Sequence, residues 1–106
     1  MSVIISTDAD FHGLLQQHPR VFVKYYADWC GTCRLMAPKF RRLSEDPRFE
    51  GIVFVDVNAE HNPEARKLAG VDNLPFFAAF REGRLLKGAA TSREENLVEM
   101  LTELTA

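Results

Sequence analysis

Cys30 and Cys33 are the only cysteines in the 106-residue chain, and they stand three apart in Trp29-Cys30-Gly31-Thr32-Cys33. Two thiols at that spacing near a helix start lie close enough to bridge. The unpaired N–H groups and the positive dipole end of such a helix favour thiolate over thiol. A thiolate there is a better nucleophile at neutral pH than an ordinary cysteine. The chemistry these residues fit is dithiol–disulfide exchange. Cys30, first in the pair, falls at the helix mouth and would attack. Cys33, inside the first turn, would be shielded and resolve the mixed disulfide. Gly31 lets the backbone turn tightly, and Trp29 gives an apolar wall beside the attacking sulfur. Three plainer readings compete. A structural bridge across three residues would staple almost nothing, because stabilisation grows with loop length. A metal site takes about four ligands, and His12, His18 and His61 show no ligand spacing with the pair, though a dimer could share a metal or cluster. Two inert buried thiols are the third alternative. The local layout favours redox chemistry over all three.

Such a site needs a strand leading in and a helix leading out. Val21 to Tyr26 is apolar except for Lys24, the pattern of a strand buried on both faces. An unpaired lysine there is costly, so Lys24 must snorkel out or find a partner. Arg34 to Ser44 carries Leu35, Met36, Phe40 and Leu43 at helical spacing, with Pro38 predicting a kink. Arg34, beside Cys33, could favour a thiolate, steer an acidic partner or simply be solvated.

The rest of the chain reads as alternating strands and helices. Val3-Ile4-Ile5 is a short first strand. Thr7 or Asp8 caps a helix whose apolar face is Phe11, Leu14 and Leu15, ending before Pro19. Asp46 to Gly51 is a loop, and Ile52 to Val57, carrying Asp56, is the third strand. Asn62 caps a helix with Pro63 at its first position, and Gly70 closes it. Pro75 marks a turn before the strand Phe76 to Phe80. Glu82-Gly83-Arg84 is a hairpin turn leading to a strand at about Leu85 to Lys87. Ser92 with Glu95, or Thr91 with Glu94, forms a capping box for a last helix that buries Leu97, Val98, Leu101 and Leu104.

Residues 1–106 suffice for one domain with a single core. Apolar content of 46% and charged content of 26% are those of a soluble globular protein. The net charge of −2 argues against a nucleic-acid footprint and a polybasic membrane patch. The N-terminal apolar run is too short for a signal peptide, and no stretch approaches a membrane span. The expected setting is a reducing cytoplasm, where a cysteine pair is more often catalytic than structural.

The segment Ala27-Asp28-Trp29-Cys30-Gly31-Thr32-Cys33-Arg34-Leu35-Met36-Ala37-Pro38 resembles the active-site segment of the thioredoxin family. The likeness covers nearly the whole chain and includes Asn62-Pro63, Leu74-Pro75 and Gly83. It implies the thioredoxin fold, α/β with a central mixed sheet of four or five strands and helices on both faces. The implied activity is reduction of protein disulfides through a Cys30/Cys33 dithiol–disulfide cycle. The implied partners are disulfide-containing proteins and a flavin-dependent, NADPH-driven thioredoxin reductase. No cofactor, metal, nucleic acid or membrane is expected, and the chain is expected to be a monomer. An oxidase or isomerase with a less stable disulfide, or a non-catalytic binding or chaperone module, are the alternatives.

The resemblance also assigns positions. Pro75 matches the family's cis-proline facing the cysteines, and the backbone of Leu74 would pair with a bound substrate segment. Gly88, in a loop expected to border the site, joins Trp29, Gly31, Thr32, Leu74 and Pro75 on the docking surface. Three departures stand out. Thr32 replaces the usual proline between the cysteines, Phe76 replaces the usual threonine, and Lys24 replaces a buried aspartate that helps move the proton. Asp56 matches a position that often carries lysine. The pair behind Cys33 is thus expected with its charges exchanged, either as proton handlers or as a structural ion pair.

Overall fold

The computed structural model describes residues 3–106. Strand β2 (Arg20–Tyr26) lies at the centre of a five-stranded sheet with β1 (Ile4–Ile5), β3 (Val53–Asn58), β4 (Phe76–Arg81) and β5 (Arg84–Ala90). The strand order is β1-β3-β2-β4-β5. β1 and β2 run parallel to β3, whereas β4 is antiparallel to β2 and β5 to β4. This is the mixed sheet the sequence predicts. Among the described residues no helix is long and apolar enough to cross a membrane.

The alternation of side chains along the strands divides the core. Val21, Val23, Tyr25, Val55, Val57, Phe76, Ala78 and Phe80 face helices α1 (Phe11–Gln17) and α3 (Pro63–Ala69). Phe22, Phe54, Phe77 and Ala79 face helices α2 (Gly31–Ser44) and α4 (Glu94–Thr105). On that second side Phe22, Phe40, Phe54 and Phe77 form an aromatic cluster, with centroid separations such as 5.3 Å for Phe40–Phe54 and 5.8 Å for Phe22–Phe40. Each such pair adds about 0.5–1.5 kcal/mol beyond its buried area. Phe40 belongs to α2, so this cluster fixes the helix that carries the cysteines.

Several expected details come out differently. α2 begins at Gly31, earlier than the periodicity places it, and runs through Pro38. Leu35 is 70% exposed and leaves the buried stripe to Met36, Phe40 and Leu43, joined by Cys33. In the loop after α2, Pro47–Phe49 forms a turn of 3-10 helix that buries Phe49. β5 extends to Ala90 and absorbs the small residues Gly88-Ala89-Ala90, read from sequence as a loop. In α4, Met100 is buried and Val98 only half so.

The caps are also rearranged. Neither Thr7 nor Asp8 caps α1, whose N-cap is Asp10. Asp8 instead reaches across the fold and accepts the N–H groups of Glu64 and Ala65 at the start of α3, at 3.1 and 2.8 Å. Asn62, the expected cap of α3, makes no cap bond and accepts the Asp8 N–H at 2.9 Å. The capping box before α4 does not form. Arg93 is the N-cap, and Thr91 Oγ1 accepts from the Arg93 N–H and the Asn96 amide. The β4–β5 hairpin turns through Glu82 and Gly83, both at positive φ (52° and 79°), the conformation of a tight two-residue connection.

Candidate functional site

β2 ends at Tyr26, and the chain turns through Ala27, Asp28 and Trp29 to deliver Cys30 as the N-cap of α2. Cys30 and Cys33 are joined as a disulfide. Cys30 Sγ accepts the Cys33 N–H at 3.1 Å, so one of the unpaired donors of the helix start points at that sulfur. No acidic residue occupies the first turn of α2 to oppose a negative sulfur. Cys30 is 6% exposed and Cys33 3%, packed with Ala27, Tyr26 and Leu74. The indole of Trp29 stands exposed beside them and donates its Nε1–H to Glu60, an acceptor that no motif in the sequence announces. The Arg34 guanidinium donates to the Asp28 carbonyl at 2.6 Å and ties the turn to the helix.

Leu74-Pro75 is a cis peptide bond, with Leu74 half-buried and Pro75 buried. A cleft of about 260 Å³ runs beside it, lined by Thr32, Asn73, Leu74, Pro75, Ala90, Thr91 and Ser92. Thr32 thus faces the proline loop from the first turn of α2. Gly88 is not in this cleft. It lies within β5 opposite Ala78, against the ring of Phe76, and Ala90-Thr91-Ser92 borders the site in its place. The run of small residues drew attention two or three positions too early, because β5 continues through it. Phe76 is 7% exposed and packs against Tyr25, so its bulk belongs to the core and not to the cleft.

Behind Cys33 the two departures meet. Lys24 and Asp56 are register partners across the parallel β2–β3 pair, and Lys24 Nζ lies 3.3 Å from Asp56 Oδ1. The ammonium also sits 5.5 and 5.3 Å from the ring centroids of Tyr26 and Phe40. Asp56 Oδ1 is buried and, among the described residues, faces no donor other than the Lys24 ammonium, which it meets at long range for a hydrogen bond. Burial pushes the Asp56 carboxyl above the usual carboxylate range, while the Lys24 charge pulls it partly back. Burial also raises the Tyr26 phenol, with smaller contributions from the Asp56 and Asp28 charges. A cavity of about 290 Å³ is lined by Lys24, Asp56 and Cys33 together with Tyr26, Asp28 and Arg34. One space therefore joins the second cysteine to the ion pair and to solvent-facing residues.

His12 and His61 are exposed and His18 half-buried at the end of α1. Among the described residues no group of three or more His, Cys, Asp or Glu is placed to hold a metal.

An α/β sheet that presents a disulfide at a helix start, opposite a cis-proline, defines a dithiol–disulfide exchange protein. Comparison with known proteins extends this. The family model described as thioredoxin matches residues 2–103. The chain is 33% identical over 81 residues to a thioredoxin of Alicyclobacillus acidocaldarius subsp. acidocaldarius, a match covering 76% of each protein. It is 28% identical over 102 residues to thioredoxin 1 of Plasmodium falciparum (isolate 3D7), covering 93% of this chain and 96% of that one. The crystal structure of thioredoxin F from spinach chloroplast (short form) superposes with a TM-score of 0.91 at 20% identity, over 99% of this chain and 95% of that one, a likeness of fold. The chain belongs to the thioredoxin family. It is a thiol–disulfide oxidoreductase of the protein-disulfide reductase kind, acting on disulfide-bearing proteins and served by a thioredoxin reductase.

Proposed function

We propose that Cys30 is the nucleophile and Cys33 the resolving thiol of a cytoplasmic, monomeric electron carrier recharged by an NADPH-dependent thioredoxin reductase. The observation that carries this assignment is the Cys33 N–H aimed at Cys30 Sγ from the start of a helix without acidic residues in its first turn. The reduced protein attacks a target disulfide through the Cys30 thiolate. One target sulfur leaves as thiolate and the other remains bonded to Cys30. Cys33 then loses its proton and attacks Cys30 Sγ, expelling the second target thiolate. Two electrons pass to the target, and the Cys30–Cys33 disulfide is left behind. The chain uses no cofactor of its own. Trp29, Gly31, Thr32, Leu74 and Pro75 receive the target, and the Leu74 backbone offers it a strand-like edge.

In this reading Asp56 takes the proton from Cys33 across the shared cavity, and Lys24 positions it. Support comes from the carboxyl raised by burial and from the cavity that it shares with Cys33. A carboxyl raised by burial holds a proton closer to neutral pH than an exposed one.

The test is trapping. Cys33→Ser is expected to accumulate a mixed disulfide between Cys30 and a protein substrate, and Cys30→Ser to accumulate none. A trap formed by Cys30→Ser through Cys33 would reverse the roles. For the ion pair, Asp56→Asn and Lys24→Ala should each change the pH profile of disulfide reduction, and identical profiles would leave the pair structural.

A further inference from the structure

The chain as a whole is acidic, with a formal net charge of −2. Helix α2 runs against that trend. Its 14 residues include Arg34, Lys39, Arg41 and Arg42 and no carboxylate, so the rest of the chain carries −6. The cations are confined to the outer surface of the helix, because Cys33, Met36, Phe40 and Leu43 take the inner one. At 3.6 residues per turn, Arg34 and Arg41 form one row, about 10 Å apart along the axis. Leu35, Lys39 and Arg42 form a second row beside it. Carboxylates answer these charges only at longer range or in exposed contact, Arg41 acting on Asp56 and Lys39 on Glu95. Arg42 lies 3.7 Å from Glu94 in an exposed contact, a kind worth little. Arg34 bonds a backbone carbonyl and not a carboxylate. Among the described residues, Arg34, Lys39 and Arg41 have no carboxylate within ion-pair distance.

This ridge starts at the reacting sulfurs, since Arg34 follows Cys33 directly. The opposite rim of the site is acidic. Glu60 is exposed there and holds the Trp29 indole, while Asp28, also exposed, sits beside Arg34, which bonds its carbonyl. The site is thus bordered by base on the α2 side and by acid on the Trp29 side. A target docking over Cys30 meets like charge if its acidic residues lie toward Trp29 and opposite charge if they lie along α2.

We infer that the outer face of α2 is a docking surface for an acidic segment of the disulfide-bearing protein substrate. The segment lies along the Arg34–Arg41 row while Cys30 attacks, and the exposed Leu35 gives it an apolar contact. The inference rests on the disulfide-reductase reading and adds the class of target that this chain prefers. Exposed charge pairs each bring a factor of up to about five, and their joint field chiefly raises the association rate.

The experiment uses three disulfide-bonded peptides, identical except that the residues flanking the cysteines are glutamate, serine or lysine. Dithiothreitol recycles the protein, so no reductase takes part, and kcat/KM is measured for each. At low salt the glutamate peptide is expected to be favoured over the serine peptide by roughly tenfold, and the lysine peptide disfavoured. In 0.5 M salt, where screening acts within less than the ~8 Å of physiological ionic strength, the preference should collapse. Lys39→Gln/Arg41→Gln should cut the rate for the glutamate peptide severalfold and leave the serine peptide unchanged. The serine peptide also registers any change at the sulfurs themselves, which a docking role would not move. Equal kcat/KM for the three peptides would overturn this inference alone, as would an acidic preference that survives the double substitution. Failure to reduce any of the three would overturn the redox reading with it.

Discussion

Lys24→Met removes the cation of the ion pair and keeps a chain of similar length between Tyr26 and Phe40. At the observed 3.3 Å, the attraction between Lys24 and Asp56 is about 5 kcal/mol at an effective dielectric of about 20 and about 1 kcal/mol in bulk water. The Asp56 side chain is 23% exposed, so the true value lies between these limits, and relief of the Lys24 desolvation offsets part of the loss. The variant should therefore be less stable by about 2 kcal/mol at pH 7.5. The pH dependence identifies the cause. In the folded protein burial raises the Asp56 carboxyl above its ordinary value, and Lys24 opposes that rise. A raised carboxyl binds its proton more tightly folded than unfolded. Its contribution is therefore fully present below the unfolded value and is lost as pH climbs through the folded one. Without Lys24 the carboxyl rises further, so the loss deepens at neutral pH, while at the acid end, with the carboxyl protonated, only the relief of Lys24 desolvation remains. Urea unfolding followed by circular dichroism should show the deficit at pH 7.5 and no deficit, or a gain, at pH 4. Lys24→Met/Asp56→Asn should recover most of the loss at pH 7.5, because no unpaired half-buried charge remains. An equal deficit at both pH values would refute the reasoning and reduce Lys24 to a packing residue.

Asp8→Ala should cost about 1 kcal/mol of unfolding free energy through α3, although Asp8 lies more than fifty residues away in the chain; Asn62→Ala tested alongside should not act as a cap mutation of α3. Gly88→Ala places a Cβ 2.9 Å from the buried ring of Phe76 and should destabilise by about 1 kcal/mol in urea unfolding, with no change in kcat on a small disulfide peptide. Tyr25, whose hydroxyl donates to the Ala65 carbonyl at 2.8 Å, has its phenol pushed far up by burial. In an ultraviolet absorbance titration it should stay silent until the protein unfolds, while the less buried Tyr26 ionises first.

What the sequence discloses here depends on the distance over which each residue acts. The cysteines, the helix behind them and the buried strand before them are local patterns, and β2, the disulfide and the body of α2 lie where those patterns place them, with α2 starting three residues earlier. Asp8 looks like a local cap because helix caps usually are. Its carboxylate is engaged by α3 only because β1 pairs with β3 and brings the two loops together. Leu35 looks like part of the apolar stripe, but the buried face runs through Cys33, Met36, Phe40 and Leu43, and Leu35, about 100° round the helix from Met36, is left in solvent. Gly88 misled for the opposite reason: small residues suggest a loop, yet β4 supplies a partner strand that holds them in register.

The charge exchange at Lys24 and Asp56 was legible only because two strands could be set side by side by resemblance. What the sequence could not supply was its asymmetry. Both side chains line the cavity they share with Cys33, but the lysine is 6% exposed with its ammonium near two aromatic rings, whereas the carboxylate is 23% exposed. Exchanging the two residues therefore does not simply mirror the pair. It moves the carboxylate from the central strand to its neighbour while leaving it in the same space as the resolving sulfur. A proton acceptor behind Cys33 needs access to that space, not a particular strand. On that ground Asp56 is the residue whose loss should be felt directly in the pH dependence of resolution, while the loss of Lys24 should move that dependence through Asp56 and be felt first in stability.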